Sequence, residues 1–313
     1  MSDAQLLSFA AHGNGPCFVR VTEVWVLDET GTRLVLKDGL YGDLENFAKV
    51  SGNESFAFGE GLPGKAWAEA RPVVLKGFQG SYFKRTEAAE AAGLTAGIAL
   101  PVFAGEDLKG VVTFFFGDDA EHVGAVEVWA SAGERSDPLK LEDGYFGTAE
   151  HFGWISRHTE FPHGQGLPGQ AWASGRAVLF EDLGASHKFL RAESAAKAGM
   201  TAGLGLPISA PNPAPHVVTL LSALDTPIAR RFEIWEGSAG AGFIRIAGAD
   251  EHGNPLPEQQ DVSRFETGAG VLGTVAATAI PAAVEMTSSA GSAVVALPIL
   301  SDGKVVQIAA WYF

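Results

Sequence analysis

One seven-residue pattern occurs three times in this chain. It reads Gly61-Leu62-Pro63-Gly64-Lys65-Ala66-Trp67, then Gly166-Leu167-Pro168-Gly169-Gln170-Ala171-Trp172, then a worn copy, Gly270-Val271-Leu272-Gly273-Thr274-Val275-Ala276. Its second glycine moves from 64 to 169 and then to 273. That spacing is too long for a solenoid unit and suits a whole small domain. The 313 residues therefore divide into three expected domains. These are 1–119, which includes an N-terminal extension, 120–226 and 227–313. Each is long enough to bury a core without a disulfide or a metal.

The elements around the pattern also recur. Each repeat opens with a strand ending in tryptophan: Val21-Thr22-Glu23-Val24-Trp25, Ala125-Val126-Glu127-Val128-Trp129 and Arg231-Phe232-Glu233-Ile234-Trp235. Period-two alternation sets the tryptophan opposite in facing to the preceding valine or isoleucine. It is read as packing under a helix or at a domain junction, ahead of serving as a ligand platform. Asp38-Gly39 and Asp143-Gly144 read as hairpin turns. The glycine pattern then opens a helix that stops before Arg71-Pro72, or at Gly175 in the second copy. A short strand (73–75; 178–180) leads to an alanine-rich helix, Phe83 to Ala92 or Phe189 to Ala198, ended by Gly93 or Gly199. Two strands close the unit. Short connections and this order predict an antiparallel sheet with packed helices, an α+β domain. The glycine pattern is not a phosphate loop. Its spacing is wrong, no lysine–serine/threonine pair follows Gly64, and proline removes an amide donor.

Taken together, these residues resemble a GAF domain. The match rests on Gly-Leu-Pro-Gly-x-Ala-Trp, on Arg71-Pro72-Val73 (Arg176-Ala177-Val178), on the Phe-x-Arg-x-Glu-x-Ala helix, and on the strand Ala99-Leu100-Pro101-Val102 (Gly205-Leu206-Pro207-Ile208). Leu108-Lys109-Gly110-Val111-Val112 is similar to the family's closing strand. The resemblance covers the chain as three tandem copies and is weakest in the third. It implies a regulatory or sensory domain that binds a small molecule or a partner protein and dimerises through flanking helices. Members of the family bind cyclic nucleotides, bilins or amino acids, and a few are enzymes.

Several departures narrow this. From turn glycine to strand proline the third repeat runs only 273 to 298, against 64 to 101 and 169 to 207. The missing piece is the Phe-x-Arg-x-Glu helix, so the third repeat is expected to be a structural or dimerising copy. Cys17 is the sole cysteine and has no resolving partner, which argues against sulfoxide reduction and against a thioether-linked bilin. The Asn-Lys…Phe…Asp-Glu pattern of cyclic-nucleotide-binding members is missing. His151, His158, His163 and His187 fit no zinc spacing, and neither metal nor cofactor is expected. Acidic pairs such as Glu106-Asp107 and Asp118-Asp119 read as solvated turns.

A pocket of the family type would lie between sheet and second helix. Its walls would be Phe58, Trp67, Tyr82 and Phe83 in the first repeat and His163, Trp172 and Phe189 in the second. Arg85 and Arg191 would each hold an anionic group through paired hydrogen bonds. The competing reading makes the aromatics core and the arginines helix-surface groups. A formal net charge of −15 repels nucleic acid and anionic lipid. Cysteine usage, with neither leader nor apolar span in the sequence, points to a soluble cytoplasmic protein. Three functions follow, in order: a non-catalytic regulatory protein binding a small molecule or partner, with homodimerisation implied by the family alone; a scaffold with filled cores; and an enzyme of unrecognised type.

Overall fold

The computed structural model describes residues 17–117, 122–132, 137–211, 214–238, 240–257, 264–286 and 293–313. Asp118-Asp119 lie outside them. Each repeat forms a six-stranded antiparallel sheet. The first contains β1 (Val21–Leu27), β2 (Arg33–Leu40), β3 (Ser55–Ala57), β4 (Val73–Lys76), β5 (Leu94–Ala104) and β6 (Asp107–Gly117), in the order β3-β2-β1-β6-β5-β4. The second contains β7 (Val123–Ala130), β8 (Leu139–Gly147), β9 (Glu160–Phe161), β10 (Val178–Phe180), β11 (Met200–Ile208) and β12 (His216–Ala223). The third contains β13 (Arg231–Ser238), β14 (Gly242–Asp250), β15 (Arg264–Phe265), β16 (Ala282–Glu285), β17 (Ala293–Ser301) and β18 (Lys304–Tyr312). Their orders, β9-β8-β7-β12-β11-β10 and β15-β14-β13-β18-β17-β16, repeat the first.

The glycine pattern opens α2 (Gly61–Glu69), α5 (Gly166–Ser174) and α7 (Gly270–Thr278). Its glycines answer two steric demands. The first adopts positive φ, +61° at Gly61, +63° at Gly166 and +64° at Gly270, which an L side chain resists. The second lies against backbone: a Cβ on Gly64 would sit 2.2 Å from the Ala57 carbonyl oxygen, and one on Gly273 2.4 Å from that of Glu266. The worn third copy has lost proline and tryptophan but keeps both glycines, the part that geometry requires.

Three local expectations need correction. Asp38-Gly39 and Asp143-Gly144 are not turns but lie inside β2 and β8, beside register shifts at Val24/Trp25 and Val128/Trp129. There the missing side chain makes room: a Cβ on Gly144 would meet the Val126 carbonyl oxygen at 2.8 Å. The alanine-rich helices are shorter than expected, α3 (Thr86–Ala91) and α6 (Ala192–Lys197). Phe83–Arg85 and Phe189–Arg191 precede them and turn inward. The stretch read as variable contains α1 (Glu45–Gly52) and its counterpart α4 (Glu150–Arg157), each burying a phenylalanine and, one turn later, a serine.

The central strands of each sheet are covered on both faces. Val21, Trp25, Val111 and Phe115 face the helices of the first domain. Their neighbours Val24, Val112, Phe114 and Phe116 face the other way, into a core shared with Val126, Val128, Leu204 and Leu220 of the second domain and Ile234, Val295, Leu297 and Trp311 of the third. Antiparallel sheets with one wet face alternate apolar and polar residues. Here burial on both sides produces near-continuous apolar runs such as Val111-Val112-Thr113-Phe114-Phe115-Phe116. The equivalent strands β5, β11 and β17 end together at the centre. The Phe103 N–H donates to the Ser209 carbonyl (3.3 Å), and the Ser209 hydroxyl to the Leu300 carbonyl (2.9 Å). Around the rim, Arg71 and Lys76 reach Glu142 (3.0 Å) and Asp143 (2.5 Å) of the second domain. Likewise the Ala177 N–H donates to Gln307 Oε1 of the third at 2.8 Å. Pro281 of the third packs on Gly110 of the first, 3.3 Å from where a Cβ would stand. The three domains close into a ring of pseudo-threefold arrangement.

Candidate functional site

The strand triplet Glu-x-Trp sets a carboxylate and an indole on the helix side of each sheet. Glu23 and Glu127 are fully buried, and a buried carboxylate is costly without a cation and hydrogen bonds. Arg85 and Arg191 supply both. Arg85 Nη1 and Nη2 donate to Glu23 Oε1 (2.5 Å) and Oε2 (3.0 Å), and Arg191 does the same to Glu127 at 2.5 and 2.9 Å. The Trp25 indole N–H (3.0 Å) and the Thr113 hydroxyl (3.0 Å) also donate to Glu23, as does Tyr41 (3.1 Å). Trp129 and Thr219 take the matching places at Glu127. Ser51 and Ser156, from α1 and α4, accept from the same Nη1 atoms and donate to the carbonyls of Phe47 and Phe152. The Nε of each arginine has no partner among the described residues.

Aromatic rings enclose the guanidinium. Trp25, Phe47, Phe56, Phe83 and Phe115 have ring centres 4.7–5.8 Å from Arg85 Cζ, and four rings surround Arg191 in the same way. Burial alone would raise the Glu23 carboxyl. The charge of Arg85, with its hydrogen bonds and that of Thr113, outweighs burial and holds it below the ordinary carboxylate range. Glu127 is lowered by the same balance through Arg191. Burial, followed by the charge of Glu23, pushes the Tyr41 hydroxyl upward.

The residues read from the sequence as site candidates fall into two places. Phe83, Arg85, Phe189 and Arg191 are buried at these ion pairs, so neither guanidinium is a helix-surface group. Phe58 and Tyr82 stand on the outside, 62% and 40% exposed. Trp67 meets Phe58 edge-on at 5.0 Å, and Trp172 meets His163 likewise at 4.7 Å. His151 and His158 flank an exposed Trp154 on α4, at 6.3 and 4.3 Å between ring centres. Among the described residues no three His, Cys, Asp or Glu side chains gather where they could hold a metal ion, and no helix is long and apolar enough to cross a membrane. Sequence reasoning missed the glutamates, Ser51 and Ser156. The recurring Glu-x-Trp on a core-facing strand was the available signal.

The third domain builds the centre differently. Only residues 286–292 separate β16 from β17, where the first repeat carries α3 and its arginine. Glu233 instead faces Arg245 of β14 (3.1 Å) and Arg231 (3.4 Å), while the Trp235 indole N–H still donates to it at 3.0 Å.

Residues 20–133 match the model of the GAF domain family. That match takes in the whole first sheet and the opening strand of the second. The second and third domains repeat the strand order and the glycine turn of the first, so the chain is three tandem GAF-like domains. GAF domains are generally regulatory or sensory ligand-binding domains. Solved structures similar to this chain include the GAF domain of A. aeolicus nlh2 in an inactive state, at 25% identity over 32% of this chain and 58% of that one, with a TM-score of 0.26. Another is the GAF domain of a two-component sensor histidine kinase from Bacillus halodurans, at 18% identity over 32% and 64%, with a TM-score of 0.24. A third is the free methionine-R-sulfoxide reductase of Neisseria meningitidis in complex with its substrate, at 23% identity over 33% and 53%, with a TM-score of 0.25. The chain thus spans between half and two thirds of the length of these structures. No curated protein matches it.

Proposed function

We propose that this chain is a non-catalytic regulatory module, three GAF domains divided near residues 119 and 226, that acts by engaging a partner on its outer surface rather than by enclosing a ligand inside a domain. The carrying observation is that Arg85 and Arg191 are each already bonded to an internal glutamate and surrounded by rings. A ligand lying between sheet and helix would have to displace a buried ion pair. The sole cysteine, Cys17, supports the absence of thiol catalysis: burial raises its thiol and so disfavours the thiolate. Its free state also fits a reducing, cytoplasmic setting. The outer surface offers α4, where Trp154 stands between two histidines, as the first face to test for a protein partner. Native mass spectrometry and thermal shift against a metabolite panel, run on wild type and on Arg85→Ala and Arg191→Ala, test the reading. Both variants should be less stable with no ligand added, and no metabolite's effect should depend on either arginine. A metabolite found between β1 and α3, or between β7 and α6, would overturn it.

A further inference from the structure

The ends of α2 and α5 present equivalent arginines to two equivalent seams, and the two are treated differently. Arg71 follows α2 and faces the first–second seam. There it pairs with Glu69, the last residue of its own helix, and with Glu142 of β8 at 3.0 Å. Arg176 holds the same place after α5, at the second–third seam. The last residue of α5 is Ser174 in place of Glu69. Glu142 is the extra residue at the β8 bulge, between partners of Trp129 and Val128; the extra residue of β14, between the partners of Trp235 and Ile234, is Ile246. Both carboxylates that neutralise Arg71 are therefore missing from the positions that would neutralise Arg176. Arg176 Nη1 is buried and has no hydrogen-bond partner among the described residues.

Arg176 also lines a pocket of about 260 Å³, which no acidic side chain lines. Its apolar lining is Trp172, Pro207, Pro215 and Leu300; Ser174 also lines it, as does His216, whose Nε2 lies 3.3 Å from Glu142 Oε2. A half-buried guanidinium with no ion pair among the described residues, and one nitrogen buried without a partner, favours an anion, and its fork matches a carboxylate in shape. Proline, leucine and indole walls suit a short apolar body beside that group. We infer that the seam between the second and third domains binds a small organic carboxylate, with Arg176 holding its anionic end. The site lies outside the sheet–helix interiors, so it stands whether or not the partner-binding reading above holds.

Calorimetric titration with acetate, isobutyrate and benzoate at fixed ionic strength tests this, with inorganic phosphate as the comparison. Wild type should bind isobutyrate or benzoate more tightly than phosphate. Arg176→Gln should weaken binding by about tenfold or more, the loss of one charged hydrogen bond. Lys197→Gln, which removes an exposed cation of the second domain outside the pocket, should bind as wild type does. Ser174→Glu installs the carboxylate that Arg71 already has, so it should abolish binding in a protein at least as stable as wild type. The inference is overturned if wild type binds none of the three carboxylates, if phosphate binds as well as they do, or if Arg176→Gln or Ser174→Glu, folded by circular dichroism, binds them unchanged.

Discussion

The first and second domains sink a glutamate beneath the sheet and bring an arginine to it from the segment before α3 or α6. The third keeps the glutamate, lacks that segment, and finds its arginine on the neighbouring strand. In the first two the guanidinium is sealed, with side-chain exposures of 0% and 1%; Arg245 is 13% exposed. The carboxylate is thus the fixed element, and the cation is supplied by whatever chain lies nearby. An arginine recruited by two different routes to one carboxylate is serving that carboxylate.

This contrast can be broken by substitution. Arg85→Ala and Arg191→Ala should each cost about 3–5 kcal/mol, because each leaves a buried carboxylate uncompensated. Arg245→Ala should cost about 1–3 kcal/mol, since Glu233 keeps Arg231 and Trp235 nearby. Urea denaturation measures all three, and equal losses would erase the distinction. Acid should act on the same centres. Glu23 and Glu127 have folded pKa values below their unfolded ones. Their contribution is complete above the unfolded value of about 4.3, and it is lost as pH falls through the depressed folded value. Stability measured from pH 6 downward should therefore hold until below that unfolded value and then fall. In Arg85→Ala the step belonging to Glu23 should disappear.

A smaller effect checks that the three scaffolds are otherwise alike. The helices opened by the glycine turn all end on a left-handed residue, Ala70 (φ 49°), Gly175 (φ 61°) or Ala279 (φ 59°). Gly175 has open space around a would-be Cβ, so Gly175→Ala should cost about 1 kcal/mol through backbone strain alone. Ala70→Gly should gain up to about 1 kcal/mol for the same reason. Thermal melts would show the two shifts in opposite directions.

The glycine turn, the strand order and the loss of a helix in the third repeat were legible because they depend on spacing and local sterics. The sequence also held two unread signals. Glu23 shares a strand face with Trp25, and a carboxylate on a core-facing position demands a cation. The run from Val111 to Phe116 is apolar on both faces, which a sheet with one wet side would not tolerate. Neither signal names its partner. Arg85 is 62 residues from Glu23 in the chain, and the shared core joins strands from three domains. Those pairings are set by tertiary packing, which local pattern does not encode. The inward turn at Phe83–Arg85 was hidden for a related reason. The alanine-rich run that follows them suggests one continuous helix, and burial of the ring and the guanidinium overrides that extension.

The charges inside the first two domains serve each other. A double-mutant cycle on Glu23→Gln and Arg85→Met, followed by urea denaturation of the ligand-free protein, tests it most directly. Each single change should be strongly destabilising and the pair much less so than their sum, with a coupling of about 2 kcal/mol or more. Additive effects, with each single variant within about 0.5 kcal/mol of wild type, would show that the two charges are independent and return Arg85 to the role of a free anion-binding group.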